Sequence, residues 1–294
     1  MPDREKAVTA FSKERTFRWE GASLNIPENV DVRMHIPCCT GGDAELTTDL
    51  FLPPDEFTDP RPAMLFIHGG GWQGGSPTQF YRQAAMLAEQ GVVGSCCRYR
   101  FSDDATFPAS VHDVKAAVRW LRANADELNV DPDRIGVMGG SAGGHLAGML
   151  ATTAGVEELE GGGGNPEQRA DVRLAVLLNP ITDMTVFASD TTLHPAVAKY
   201  LGGPPEEMPA QYVLASPLLN IDADTPPCFL LHGTADTTVP HDQSVRFAEA
   251  LGQIGQEAEL VLIPDVPHGF FNKSPHFEDT WPAMEAFIVK HLGI

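Results

Sequence analysis

One hydroxyl, that of Ser141, sits among Gly139, Gly140, Gly143 and Gly144 in the stretch RIGVMGGSAGGHLAG, residues Arg134–Gly148. A branched apolar run precedes it and a helix-like run follows. Such a stretch can serve as a nucleophile on a strained turn, as a phosphate cradle, or as a tight small-residue connection without chemistry. Gly139-Gly140-Ser141-Ala142-Gly143 fits G-x-S-x-G between a strand and a helix, the context that a nucleophile elbow demands. Positions two before and two after the serine must then be small, because larger side chains collide as the chain reverses. A helix beginning at Ala142 points N–H groups and its positive dipole end toward developing negative charge. The phosphate reading lacks its signature: G-x-x-x-x-G-K-[ST] is absent and no lysine lies near.

A serine hydroxyl is a poor nucleophile without a base, and the base needs an orienting acid. The order Ser, Asp, His places both C-terminal to the elbow, on loops after late strands. His232-Gly233-Thr234-Ala235-Asp236 follows an apolar run at 228–231 and offers Asp236. Pro267-His268-Gly269 follows a run at 259–263 and offers His268. In an open α/β sheet, such carboxyl-end loops converge on one crevice. Rivals have plainer readings. Asp242 is a solvated or capping helix residue, and Asp265 shares a loop with His268. His232 fills space at a strand end, His241 lies near a helix start, and His145 packs one helical turn beyond the elbow. His68-Gly69-Gly70-Gly71-Trp72 follows the run ending at Ile67. It is either a plain glycine turn or a loop whose N–H groups, with that of Ala142, bind the oxygen of a tetrahedral intermediate. The His68 side chain is expected to brace that loop.

The elements that would position these residues read as follows. The first 25 or so residues are polar and expected to be loosely ordered. Val30–Ile36 and Ala44–Leu52 form a hairpin through Gly41-Gly42. Apolar strands follow at Ala63–Ile67, Val92–Cys97, Arg134–Met138, Leu174–Leu178, Cys228–Leu231 and Glu259–Ile263. Helices lie between them: one opened by Ser76-Pro77 and ending near Gln90, one opened by a capping box at Ser110–Asp113, one at Ala142–Thr152, one at His241–Leu251, and a last at about Trp281–His291. Gly161–Gly164 reads as a flexible surface loop, and residues 183–217 as irregular. Strand–helix alternation with doubly buried strands predicts a single α/β domain: a mostly parallel eight-stranded sheet, helices on both faces, and an antiparallel N-terminal edge hairpin. The expected division is an extension over residues 1–25 and a catalytic domain over 26–294.

At 294 residues the chain can bury roughly 75% of its unfolded surface and needs no metal or disulfide for a core. Its 40 acidic and 20 basic residues give a net charge of −20, which argues against nucleic acid and anionic membrane partners. No apolar run approaches the roughly 18 residues of a membrane helix. Cys38, Cys39, Cys96, Cys97 and Cys228 make two adjacent pairs and an odd total, which fits neither a disulfide framework nor a zinc site. Cys96 and Cys97 read as small buried hydrophobes. The charged N-terminus has no apolar signal core, so the expectation is cytoplasmic, or secreted if a signal peptide was removed. Oligomeric state is not readable.

HGGGW, GGSAGGHLAG, HGTAD…VP and PHGF resemble the α/β-hydrolase superfamily. Within it they are similar to the branch holding hormone-sensitive-lipase-type esterases and bacterial feruloyl/acetylxylan esterases, from about residue 44 to the C-terminus. HGGGWQGGS, FPASVHDVKAAVRWLRANA and ASPL lean toward the second group. The resemblance implies Ser141 as nucleophile, His268 as base and Asp236 as its orienter. It implies oxyanion N–H groups from Gly70, Gly71 and Ala142, with Gly69 as a substitute for one. It further implies acyl transfer through an acyl-enzyme with no metal and no cofactor. The lipase-type pattern has a long helical cap before HGGG, whereas this region is short and strand-like; the expectation is no large cap and an open site suited to short acyl groups. Trp72, Phe187, Tyr200, Phe270 and Phe271 are either pocket lining or ordinary core, and the 183–217 segment is a candidate wall. Acetylated xylan, a feruloylated sugar and a small aliphatic ester all fit as substrate. An arylformamidase-like amide hydrolase and a noncatalytic hydrolase-fold binder are the alternatives.

Overall fold

The structure, a computed structural model, describes residues 16–19, 22–186 and 194–294. Phe187 and much of the 1–25 extension lie outside the described residues. Within that extension, β1 (Thr16–Trp19) and β2 (Ala22–Asn25) pair antiparallel, so a short ladder stands where loose order was expected. TFRW is rich in strand-forming residues, which favours that pairing.

The main sheet has eight strands in the order β10-β9-β8-β7-β5-β6-β4-β3. β5 (Arg61–Ile67), β6 (Val93–Cys97), β7 (Val130–Gly140), β8 (Ala175–Leu178), β9 (Cys228–Gly233) and β10 (Ala258–Ile263) run parallel. β3 (Asp31–Gly41) and β4 (Ala44–Leu52) form the antiparallel edge hairpin. β3 runs past Ile36 through two register shifts that accommodate Pro37, whose missing N–H cannot serve a regular ladder. β6, β8 and β9 are buried along their whole length, as expected of strands covered on both faces, whereas edge strand β10 is only half-buried.

Helices α2 (Ala109–Ala123), α3 (Ala142–Thr152) and α6 (Asp242–Gln253) pack on one face, where Val114, Val118, Leu146 and Phe247 meet Leu65, Val137 and Leu177. On the other face α1 (Tyr81–Ala88) and α7 (His276–Leu292) bring Tyr81, Leu87, Phe287 and Ile288 against Phe66, Met138 and Phe229. Residues 194–214, expected to be irregular, hold α4 (His194–Leu201) and α5 (Pro209–Leu214).

Two local readings change. α2 has no capping box: the Ser110 hydroxyl meets the Tyr200 hydroxyl at 3.0 Å, and buried Asp113 accepts from Arg100 Nη2 at 2.7 Å. Both side chains serve tertiary contacts instead. The Gly161–Gly164 loop is pinned rather than free. Thr40 N–H donates to the Gly163 carbonyl at 2.9 Å, and buried Arg119 donates to the Gly164 carbonyl at 3.0 Å. All five cysteines are buried and reduced. No helix among the described residues is long and apolar enough to cross a membrane.

Candidate active site

Four carboxyl-end loops of the parallel strands supply the site. β7 ends at Gly140 and α3 starts at Ala142, leaving Ser141 alone at the reversal with φ 54° and ψ −118°. A left-handed φ is strained for serine and holds only because the surroundings dictate it. Gly139 and Gly143 make the reversal feasible. A Cβ on Gly143 would sit 2.0 Å from the Ile67 carbonyl oxygen, and one on Gly139 would sit 2.1 Å from the Gly143 carbonyl oxygen.

His268, on the loop after β10, places Nε2 2.9 Å from Ser141 Oγ and Nδ1 2.6 Å from Asp236 Oδ2. The carboxylate can only accept, so Nδ1 carries the proton and Nε2 is left to accept from the serine hydroxyl. Asp236 Oδ1 accepts from the N–H groups of Thr238 at 2.9 Å and Val239 at 2.8 Å. Burial alone would raise its pKa, but hydrogen bonds from His232 and His268 outweigh that and hold the carboxyl well below the usual carboxylate range.

His232 does more than fill space. Its Nε2 lies 2.9 Å from the Val239 carbonyl and 3.3 Å from Asp236 Oδ2, while Nδ1 meets Ser244 Oγ at 2.8 Å. It therefore shares Asp236 Oδ2 with His268 and braces the acid. Asp242 opens α6, and Asp265 stands exposed on the loop before His268.

The glycine loop after β5 lies against the elbow: a Cβ on Gly69 would fall 3.3 Å from Ser141 Cβ. Gly69 N–H is already bound to Gln79 Oε1 at 2.7 Å, which removes it as a substitute oxyanion donor. No acceptor among the described residues takes the N–H of Gly70, Gly71 or Ala142. His68 braces the loop through Gly69, Nδ1 to carbonyl oxygen 2.8 Å, and stacks on Tyr99 at 4.5 Å.

A cavity of about 350 Å³ opens over Ser141, bounded by Gly69, Gly70, Gly71, Gln79, Thr238, His268, Gly269, Phe271, Asn272 and Lys273. Trp72 and Phe270 do not line it. Trp72 is fully buried; it stacks on Tyr200 at 4.6 Å and donates from Nε1 to His145 Nδ1 at 3.2 Å. It anchors the glycine loop from behind. Phe270 is 2% exposed and turns its ring edge to His276, while its neighbour Phe271 reaches the cavity. The described part of 183–217 contributes no lining, and Tyr200 is core. Gln79, Thr238 and Asn272 went unread because isolated amides and hydroxyls carry no motif. Gln79 carried one weak sign, its place in the first turn after Ser76-Pro77.

Buried His145 donates from Nε2 to the Ala215 carbonyl at 2.9 Å. Burial pushes both His145 and His68 down to about 4. These imidazoles stay neutral in the fold while the unfolded chain takes up protons near pH 6.5. Stability therefore falls as pH drops from about 6.5 toward 4, by up to about 3 kcal/mol per histidine. Urea denaturation at pH 7 and pH 5 should show the loss, and His145→Gln should remove about half of this histidine contribution, leaving that of His68; equal stability of the wild type at both pH values would contradict the assignment.

The contacts among Ser141, His268 and Asp236 are carried, beside a glycine loop, on the sheet of an α/β-hydrolase. A family profile described as BD-FAE matches residues 48–251, and the chain belongs to that family. "Probable carboxylic ester hydrolase LipM" of Mycobacterium tuberculosis is 33% identical over 230 residues, 76% of this chain and 52% of LipM. The chain thus spans about half the length of that curated relative. Esterase Est2 of Thermogutta terrifontis, solved with propionate bound, is 33% identical with a TM-score of 0.75, covering 90% of this chain and 96% of that one. A truncated carbohydrate esterase from gut microbiota is 27% identical with a TM-score of 0.78, covering 92% and 99%.

Proposed function

We propose that the protein is a serine carboxylesterase acting on short-chain acyl esters, with residues 26–294 as one catalytic unit. The observation that carries this reading is the hydrogen-bonded chain from Asp236 Oδ2 through His268 to Ser141 Oγ, 2.6 Å and 2.9 Å long at its two links. Ser141 Oγ attacks the ester carbonyl as His268 Nε2 takes its proton, and ionised Asp236 stabilises the imidazolium. The N–H groups of Gly70, Gly71 and Ala142 receive the oxyanion; losing one such donor typically costs about 3–4 kcal/mol of transition-state stabilisation. His268 then protonates the leaving alcohol, and water repeats the sequence on the acyl-enzyme.

Est2, which shares the fold, has been solved with propionate and with butyrate bound, and this supports a preference for small acyl groups. The fold shared with a carbohydrate esterase favours a sugar ester as one natural substrate. A series of p-nitrophenyl esters tests the reading: kcat/KM should peak at acetate to butyrate and fall by about 100-fold by decanoate. A maximum at decanoate would overturn the short-chain assignment, and cleavage of formylated aromatic amines in preference to every ester would favour an amide hydrolase.

A further inference from the structure

We infer that Gln79 selects the alcohol portion of the substrate through its side-chain amide, an inference that rests on the esterase reading above. Gly69 N–H donates to Gln79 Oε1 at 2.7 Å. Only the oxygen of that amide accepts, so the contact fixes which end faces the glycine loop and leaves Nε2 to the cavity that Gln79 lines. Among the described residues no hydrogen bond uses Nε2.

The residue is also held from behind. Its main-chain carbonyl accepts from Asn272 Nδ2 at 2.7 Å, and Asn272 Oδ1 accepts from buried Gln83 Nε2 at 2.6 Å. This network ties the loop after β5 to the loop that carries His268. A fixed, neutral donor beside the reacting serine recognises an acceptor oxygen and discriminates against a methylene in its place.

The alcohol portion is the part it meets. His268 hands its proton to the departing alkoxide, so that half of the ester lies on the histidine side. Thr238, His268, Gly269, Phe271 and Asn272, all on the loops carrying acid and base, line this cavity. The favoured substrates are therefore esters of alcohols with a further oxygen, such as polyols or sugars, over esters of plain alkanols.

The test compares kcat/KM for 2-methoxyethyl acetate and n-butyl acetate, which differ by an ether oxygen in place of a methylene. Gln79→Leu should lower the ether-to-alkyl ratio about tenfold, the worth of one hydrogen bond, and slow both esters by orphaning Gly69 N–H. Gln79→Glu, measured at pH 8, keeps an oxygen for Gly69 but no donor, and its ratio should fall equally. A merely structural glutamine would move both rates together and leave the ratio alone. An unchanged ratio in either folded variant overturns the inference while the wild type's turnover of n-butyl acetate preserves the esterase reading. Failure of the wild type to cleave either ester removes both.

Discussion

Ser141→Ala is expected to give a folded protein whose kcat on p-nitrophenyl acetate is lower by about 10⁶-fold. The fold should survive because alanine meets the same backbone demand as serine at φ 54°, and the hydroxyl's one hydrogen bond goes to His268. The chemistry should not survive, because no other hydroxyl stands within reach of His268 Nε2 among the described contacts. His268→Ala should lose about as much, and the double variant little more, since nucleophile and base act as a unit. Initial rates with matched circular dichroism spectra check this. Residual turnover within about 100-fold of wild type would mean that another group attacks the ester.

Asp236→Asn should lower kcat by about 10⁴-fold with little loss of stability. Thr238 and Val239 N–H groups both point at Oδ1, so the asparagine oxygen must take that position. Its NH₂ then occupies the Oδ2 position, 2.6 Å from His268 Nδ1, and donates to it. The imidazole is forced into the tautomer with its proton on Nε2, facing Ser141, and can no longer accept the serine proton. kcat should fall while KM for p-nitrophenyl acetate changes by less than about threefold, because the cavity is untouched. A variant keeping a tenth of wild-type kcat would show that the carboxylate does not set the tautomer.

The meeting of Ser141, His268 and Asp236 was legible because each part sits in a constrained backbone context. Gly139 and Gly143 flank Ser141 where any Cβ would strike backbone oxygen; Asp236 follows an apolar run that forms the fully buried β9, and His268 follows the half-buried edge strand β10. The strand order was less legible: nothing in β8 or β9 alone says that Ala175 pairs with Cys228. Side-chain destinations were least legible. Trp72 follows the glycine loop directly and reads as pocket lining, yet its φ of 57° turns it inward against Tyr200 and His145. Ser110 and Asp113 have capping-box spacing, yet Tyr200 and Arg100, 90 and 13 residues away in the chain, claim them. Sequence spacing encodes local geometry well. Partners brought close only by the finished sheet leave no local trace, as for Asn272, whose bonds to Gln79 and Gln83 span 193 and 189 residues.

Under the proposed mechanism Ser141 becomes covalently acylated in each turnover. Incubating the protein with a fluorophosphonate probe, digesting it and locating the adduct by mass spectrometry tests this most directly. One stoichiometric adduct on Ser141 is expected, absent in Ser141→Ala and at least 1000-fold slower to form in His268→Ala, on the order of the loss of a general base. Labelling at any other residue, or none in folded wild-type protein, would contradict it.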